Sequence, residues 1–128
     1  MPLYDFHQNL AWFVVLSNAA VGVWALLAHL LPSLRVRPMW WAVIVAQLST
    51  FVIAIVGVVM LDRYDLELDQ FHALYGFSCI VAVGILYSYR GSPFVKDKVY
   101  LLYGLGSLFI MGLGLRAMYI GSHSPFAR

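Results

Sequence analysis

Apolar residues gather along the chain into four runs separated by short polar breaks. The first goes from Leu10 to Leu31 and stops at Pro32, and the second goes from Trp40 to Leu61 and is opened by Pro38. The third goes from Phe71 to Tyr89 and is closed by Arg90-Gly91-Ser92-Pro93; the fourth, Val99 to Ile120, ends at Gly121. Each run is close to the ~20 residues with which a helix crosses the hydrocarbon core of a bilayer. None alternates strictly between apolar and polar side chains, as a membrane barrel strand would. The pattern therefore predicts helices over about residues 8–31, 39–61, 71–90 and 98–120. Short connections make successive helices antiparallel. The expected fold is an all-α integral membrane protein: four transmembrane helices in an up-down-up-down bundle, forming one domain over residues 1–128.

Composition strengthens that reading. Hydrophobic residues make up 62% of the chain and charged residues 11%, whereas a soluble domain is about half apolar and about a quarter charged. A chain this short buries only part of the surface it owns, so the remaining apolar area is expected to face lipid. The net charge of +2, with no basic run, argues against a nucleic-acid partner. The single cysteine, Cys79, leaves no intrachain disulfide to form. The opening residues, MPLYDFHQNLAWF, lack the basic region of a signal peptide, so the first run is expected to be a permanent span.

Charge sets an expected orientation. Arg35 and Arg37 follow the first run, and Arg90, Lys96 and Lys98 follow the third, while the middle connection, DRYDLELD, is acidic apart from Arg63. The positive-inside rule places the two basic loops in the cytoplasm and both termini outside, most naturally in a bacterial plasma membrane. Trp40, Trp41, Tyr87, Tyr89 and Tyr100 are then expected in an inner aromatic belt, with Tyr4, Tyr64 and Tyr119 near the outer one. An internal repeat of two hairpins is suggested by Asp5-Phe6-His7 against Gln70-Phe71-His72, and by Ser49-Thr50-Phe51 against Ser107-Leu108-Phe109.

Ionisable and polar side chains inside a span are costly, about 2.5–3.5 kcal/mol for a charge at the helix centre, so they point to candidate sites. In the first helix, His7, Ala11, Val14, Asn18, Gly22, Ala25 and His29 share one small, polar face at helical spacing. That face suits close helix packing with an interhelical hydrogen bond from Asn18; it also suits a path with His7 and His29 at its ends. In the third helix, His72, Gly76, Cys79 and Val83 share a face, and Gly76 leaves clearance for a flat group or a neighbouring helix. Gln47 is expected to bond across to a neighbour. The fourth helix is rich in glycine, with Gly104, Gly106, Gly112 and Gly114, and is expected to contact neighbours or other subunits. Arg116, near the outer end of that helix, is expected either to snorkel or to pair with an acidic partner.

Asp5, His7, Asp62, Asp69, His72 and Arg116 thus fall at the outer end of one bundle, with His123 following in the tail. A structural polar network of Asp5, Asn18, Gln47, Asp62, Asp69 and Arg116 is expected. No metalloprotease, thiol-redox, nucleotide-loop or nucleophile-elbow motif occurs, so no catalytic residue is assigned and an enzyme is not expected. The leading reading is an accessory or assembly subunit of a larger membrane complex, such as a respiratory one, contacting its partners through the glycine-rich fourth helix. An alternative is a bis-histidine haem b electron-transfer module. His7 and His72 would be its ligands, Gly76 its clearance and Arg116 the cation for its propionates; this layout is similar in outline to four-helix membrane b-type cytochromes. A second alternative is a metal or quinone site at the outer mouth, with Asp and His as metal ligands or His and Tyr75 holding a quinone oxygen.

Overall fold

In a computed structural model, residues 2–65, 67 and 69–122 are described; His123 lies outside them. The described residues form four long helices: α1 (Pro2–Leu30), α2 (Arg37–Arg63), α3 (Gln70–Tyr89) and α4 (Val99–Ser122). All four are long and apolar enough to cross a membrane. The protein is a small all-α membrane-spanning protein, an up-down-up-down bundle.

Local chemistry explains where each helix begins and ends. Helix α1 starts at Pro2, well before the expected residue 8. Proline suits a first helical turn because its missing N–H has no partner there anyway, and Asp5 adds a favourable charge to that turn. The hydroxyl of Tyr64 accepts a hydrogen bond from the Leu3 N–H at 3.1 Å, tying this first turn to the far end of α2. At the other end of α1, the Arg35 guanidinium folds back. Its Nε donates to the Ala28 carbonyl at 2.8 Å and its Nη2 to the His29 carbonyl at 2.9 Å. Helix α2 opens on Pro38 and ends where Asp65 takes a left-handed backbone, φ 53°. Asp69 caps α3, accepting from the N–H groups of Phe71 and His72 at 3.1 and 3.2 Å. A 3-10 segment, Pro93–Lys98, capped by Ser92, turns the chain into α4.

Helix α1 lies between α2 and α4, and α3 packs on the other side of α4; α2 and α3 touch only sparsely. The α1–α4 seam is the most extensive because glycine brings the two backbones together. A Cβ on Gly104 would stand 2.6 Å from Leu26 Cδ2 and 2.9 Å from the Leu26 backbone nitrogen, and one on Gly22 would stand 2.9 Å from the Leu108 side chain. The core runs through all four helices, from Val21, Ala25 and Ala28 to Met39, Val43 and Ala46, then Cys79, Val83 and Leu86, and finally Tyr103 and Ile110. The two hairpins, α1–α2 and α3–α4, therefore meet chiefly along one of the two seams a closed ring of helices would have.

Aromatic residues close the end that carries the basic loops. Tyr103 is fully buried, its ring edge-on to Trp40 at 5.1 Å and to Tyr87 at 6.0 Å. Arg90 stands 4.4 Å from the Trp40 ring centroid and Arg35 stands 5.0 Å from that of Tyr100. Of the residues expected in the inner aromatic belt, Trp40 and Tyr100 turn inward onto this cluster, whereas Trp41 and Tyr89 remain exposed.

Candidate functional site: the histidine end and the polar centre

His7 sits in the second turn of α1 and His72 in the first turn of α3. Because α1 begins at Pro2, the two side chains reach the same level. Their rings meet across the diagonal of the bundle, with centroids 6.2 Å apart and planes tilted by 58°. Each ring rests on a glycine of the following helix. A Cβ at Gly57 of α2 would lie 3.3 Å from His7 Cε1, and one at Gly121 of α4 would lie 3.0 Å from His72 Nδ1. That nitrogen of His72 is hydrogen-bonded to the Ala117 carbonyl at 2.8 Å, joining α3 to α4. His7 Nδ1 is buried with no hydrogen-bond partner among the described residues.

A second polar group lies halfway along the bundle. Asn18 and Gln47 are completely or almost completely buried. Asn18 Nδ2 donates to the Val14 carbonyl at 2.9 Å and, across to α2, to the Ala46 carbonyl at 3.3 Å. Gln47 Nε2 donates to Ser107 Oγ at 3.2 Å, which links α2 to α4 across the other diagonal. The remaining amide oxygens, Asn18 Oδ1 and Gln47 Oε1, find no partner among the described residues. At the basic end, His29 Nδ1 is likewise buried without one.

The haem b reading is corrected by this geometry, and the electron-transport role attached to it falls as well. No group of three or more His, Cys, Asp or Glu among the described residues could hold a metal ion. The clearance around the imidazoles is occupied by the imidazoles themselves against Gly57 and Gly121. Gly76 does not supply a gap at the ring pair: a Cβ there would meet nothing within 4 Å. The same absence of a ligand group removes the metal version of the second alternative. Arg116 is exposed, and its neighbours are aromatic, the rings of Tyr75 and Tyr119 at 6.0 and 5.5 Å from the guanidinium carbon.

The six residues grouped as a polar network occupy separate places. Asn18 and Gln47 make the central hydrogen bonds, and Asp69 caps α3. Asp5 and Asp62 are exposed, and Arg116 stands over its two rings. Helix α4 spends its glycines internally: Gly104 on Leu26, Gly106 on Leu86 and Gly114 on Val15, with open space only at Gly112. Sequence reasoning missed Gly57, Gly121, Arg35 and Tyr103. Proximity of Arg35 to the end of α1 was a usable signal for its capping role; nothing in the linear sequence pairs His7 with Gly57 or His72 with Gly121. Comparison with protein-family models, curated proteins and solved structures gave no match.

Proposed function

We propose that the protein is an accessory or assembly subunit of a larger membrane complex, with no chemistry of its own, and that a partner helix lies along α3 beside the α2–α3 seam. The packing of α3 carries this reading. Only Cys79, Val83 and Leu86 of that helix are buried. Phe71, Leu74, Phe77, Val81 and Ile85 stand out on its surface, and Gly76 and Gly84 have nothing within 4 Å of a notional Cβ. Between membrane helices close packing replaces the hydrophobic effect as the driving force, and glycine is the residue that permits it. On α4 every glycine but Gly112 is matched by side chains of the same chain; on α3 neither glycine is. The basic loops put the aromatic end in the cytoplasm and the histidine end outside. The two histidines and the central amides then serve to hold the diagonals of a bundle whose second seam stays open for the partner.

The test is purification from the native membrane in mild detergent, with a photo-crosslinking residue at Phe77 of α3 or at Leu16 of α1. Both positions are exposed. The reading expects one protein adduct of defined mass from Phe77 and none from Leu16, together with co-purification of that same protein. Adducts to lipid alone from both positions would remove it.

A further inference from the structure

A groove of about 410 Å³ runs between α1 and α2, lined by Phe13, Ser17, Val21 and Trp24 on one side and Trp41 and Val45 on the other, with Ala20 and Ala42 also lining it. Its walls are apolar. The Trp24 indole is held by a hydrogen bond from Nε1 to the Leu34 carbonyl at 3.2 Å, and the Ser17 hydroxyl donates to its own helix at Val14, at 3.3 Å. From Phe13 to Trp24 the groove follows α1 for about 16 Å at the helical rise, which is roughly one leaflet of a hydrocarbon core about 30 Å thick. It reaches the end of the bundle at Trp41, 63% exposed, and Arg37 lies one turn earlier on the same face of α2, also exposed. Arg35, nearby in sequence, has its guanidinium turned onto the Ala28 and His29 carbonyls, so among the described residues Arg37 is the cation that this corner of the bundle offers.

We propose that this groove holds one acyl chain of an anionic phospholipid whose phosphate is met by Arg37. Charge complementarity selects the occupant. A neutral transmembrane helix would gain nothing from Arg37, whereas an anionic headgroup with its chain running inward satisfies both the cation and the apolar walls. The aromatic side chains at Trp24 and Trp41 sit where a chain leaves the headgroup region, a position such rings favour. This surface is separate from the α3 flank assigned to a partner helix.

Native mass spectrometry of the purified protein, mixed with dioleoyl phosphatidylglycerol or dioleoyl phosphatidylcholine, tests the proposal. The wild-type protein should retain the anionic lipid at least about 5-fold more than the zwitterionic one. Arg37→Gln should abolish that preference, and Ala42→Phe, which fills the groove, should lower retention of both lipids. Lys98→Gln removes a basic-end charge away from the groove and should leave the preference intact. Melting in the same detergent confirms that each variant is folded, and Ala20→Leu, a milder filling from the opposite helix, replaces Ala42→Phe should that variant not fold. Equal retention of the two lipids by the wild type, an equal loss with Lys98→Gln, or a dimer of this chain that disappears with the groove-filling variant would each overturn the assignment.

Discussion

Glycine lets α1 and α4 approach until a single added methyl group would collide. At Gly104 a methyl group would run into the Leu26 side chain and, at 2.9 Å, into the Leu26 backbone nitrogen, which cannot rotate away. Gly104→Ala should therefore destabilise the bundle by about 1–3 kcal/mol, the usual cost of overpacking. Gly112→Ala adds its methyl to open space and should be neutral, or stabilising by up to about 1 kcal/mol through helix propensity. Titration of both variants from mild detergent into sodium dodecyl sulfate, followed by circular dichroism, separates the two. Asn18 offers a second contrast. Its amide nitrogen donates to Val14 and across to Ala46, while its oxygen is buried with no partner among the described residues, so Asn18→Leu removes two bonds and an orphan together. The expected net change is below about 1 kcal/mol, readable in the same titration. That Asn18 and Gln47 face inward was legible from their cost in lipid. Which glycine meets which side chain was not, because the alignment of α1 against α4 depends on a seam that no local pattern encodes.

At the level of the helix, the ends rather than the middles carry information. The apolar runs located all four spans, but α1 was expected to start at residue 8 and starts at Pro2. The signals were present in Pro2 and Asp5, and a search for hydrophobicity alone passes over them. The difference has consequences, since those extra turns bring His7 level with His72. Arg35 defines the opposite end of α1 by binding two terminal carbonyls. A cation there also opposes the negative end of the helix dipole. Arg35→Ala should cost about 1–3 kcal/mol, and Arg35→Lys should recover only part of it, because an ammonium lacks the planar fork that reaches two carbonyls together. Hydrogen exchange should localise the effect, with faster exchange in the last turn of α1 and little change in α3. Asp69→Ala, by contrast, should loosen the first turn of α3 at a cost of about 1 kcal/mol. Exchange at Phe71 and His72 would rise, and the His72 ring would be less firmly held on Ala117.

For the whole molecule, antiparallel order followed from hydropathy and short loops, whereas the unequal seams did not, since small residues occur on faces of all four helices. The outcome is that α3 depends on α4 for most of its support. Cys79 reports on that dependence from inside it. The thiol is buried, with Sγ 3.8 Å from the Ile110 carbonyl of α4, so an alkylating reagent reaches it only when the two helices part. Such openings draw on local stability and not on the global unfolding free energy. Labelling of Cys79 in mild detergent should accordingly be slow beside labelling of the same thiol in sodium dodecyl sulfate. Gly106→Ala, whose methyl would press on Leu86 of α3, should accelerate it, while Gly112→Ala on the same helix should not. Using one thiol at one depth throughout removes differences in reagent access from the comparison. Equal rates in the wild type and Gly106→Ala would mean that α3 is not held through this contact. Addition of a subunit covering the open flank of α3 should slow labelling in both, because a second support makes parting from α4 rarer.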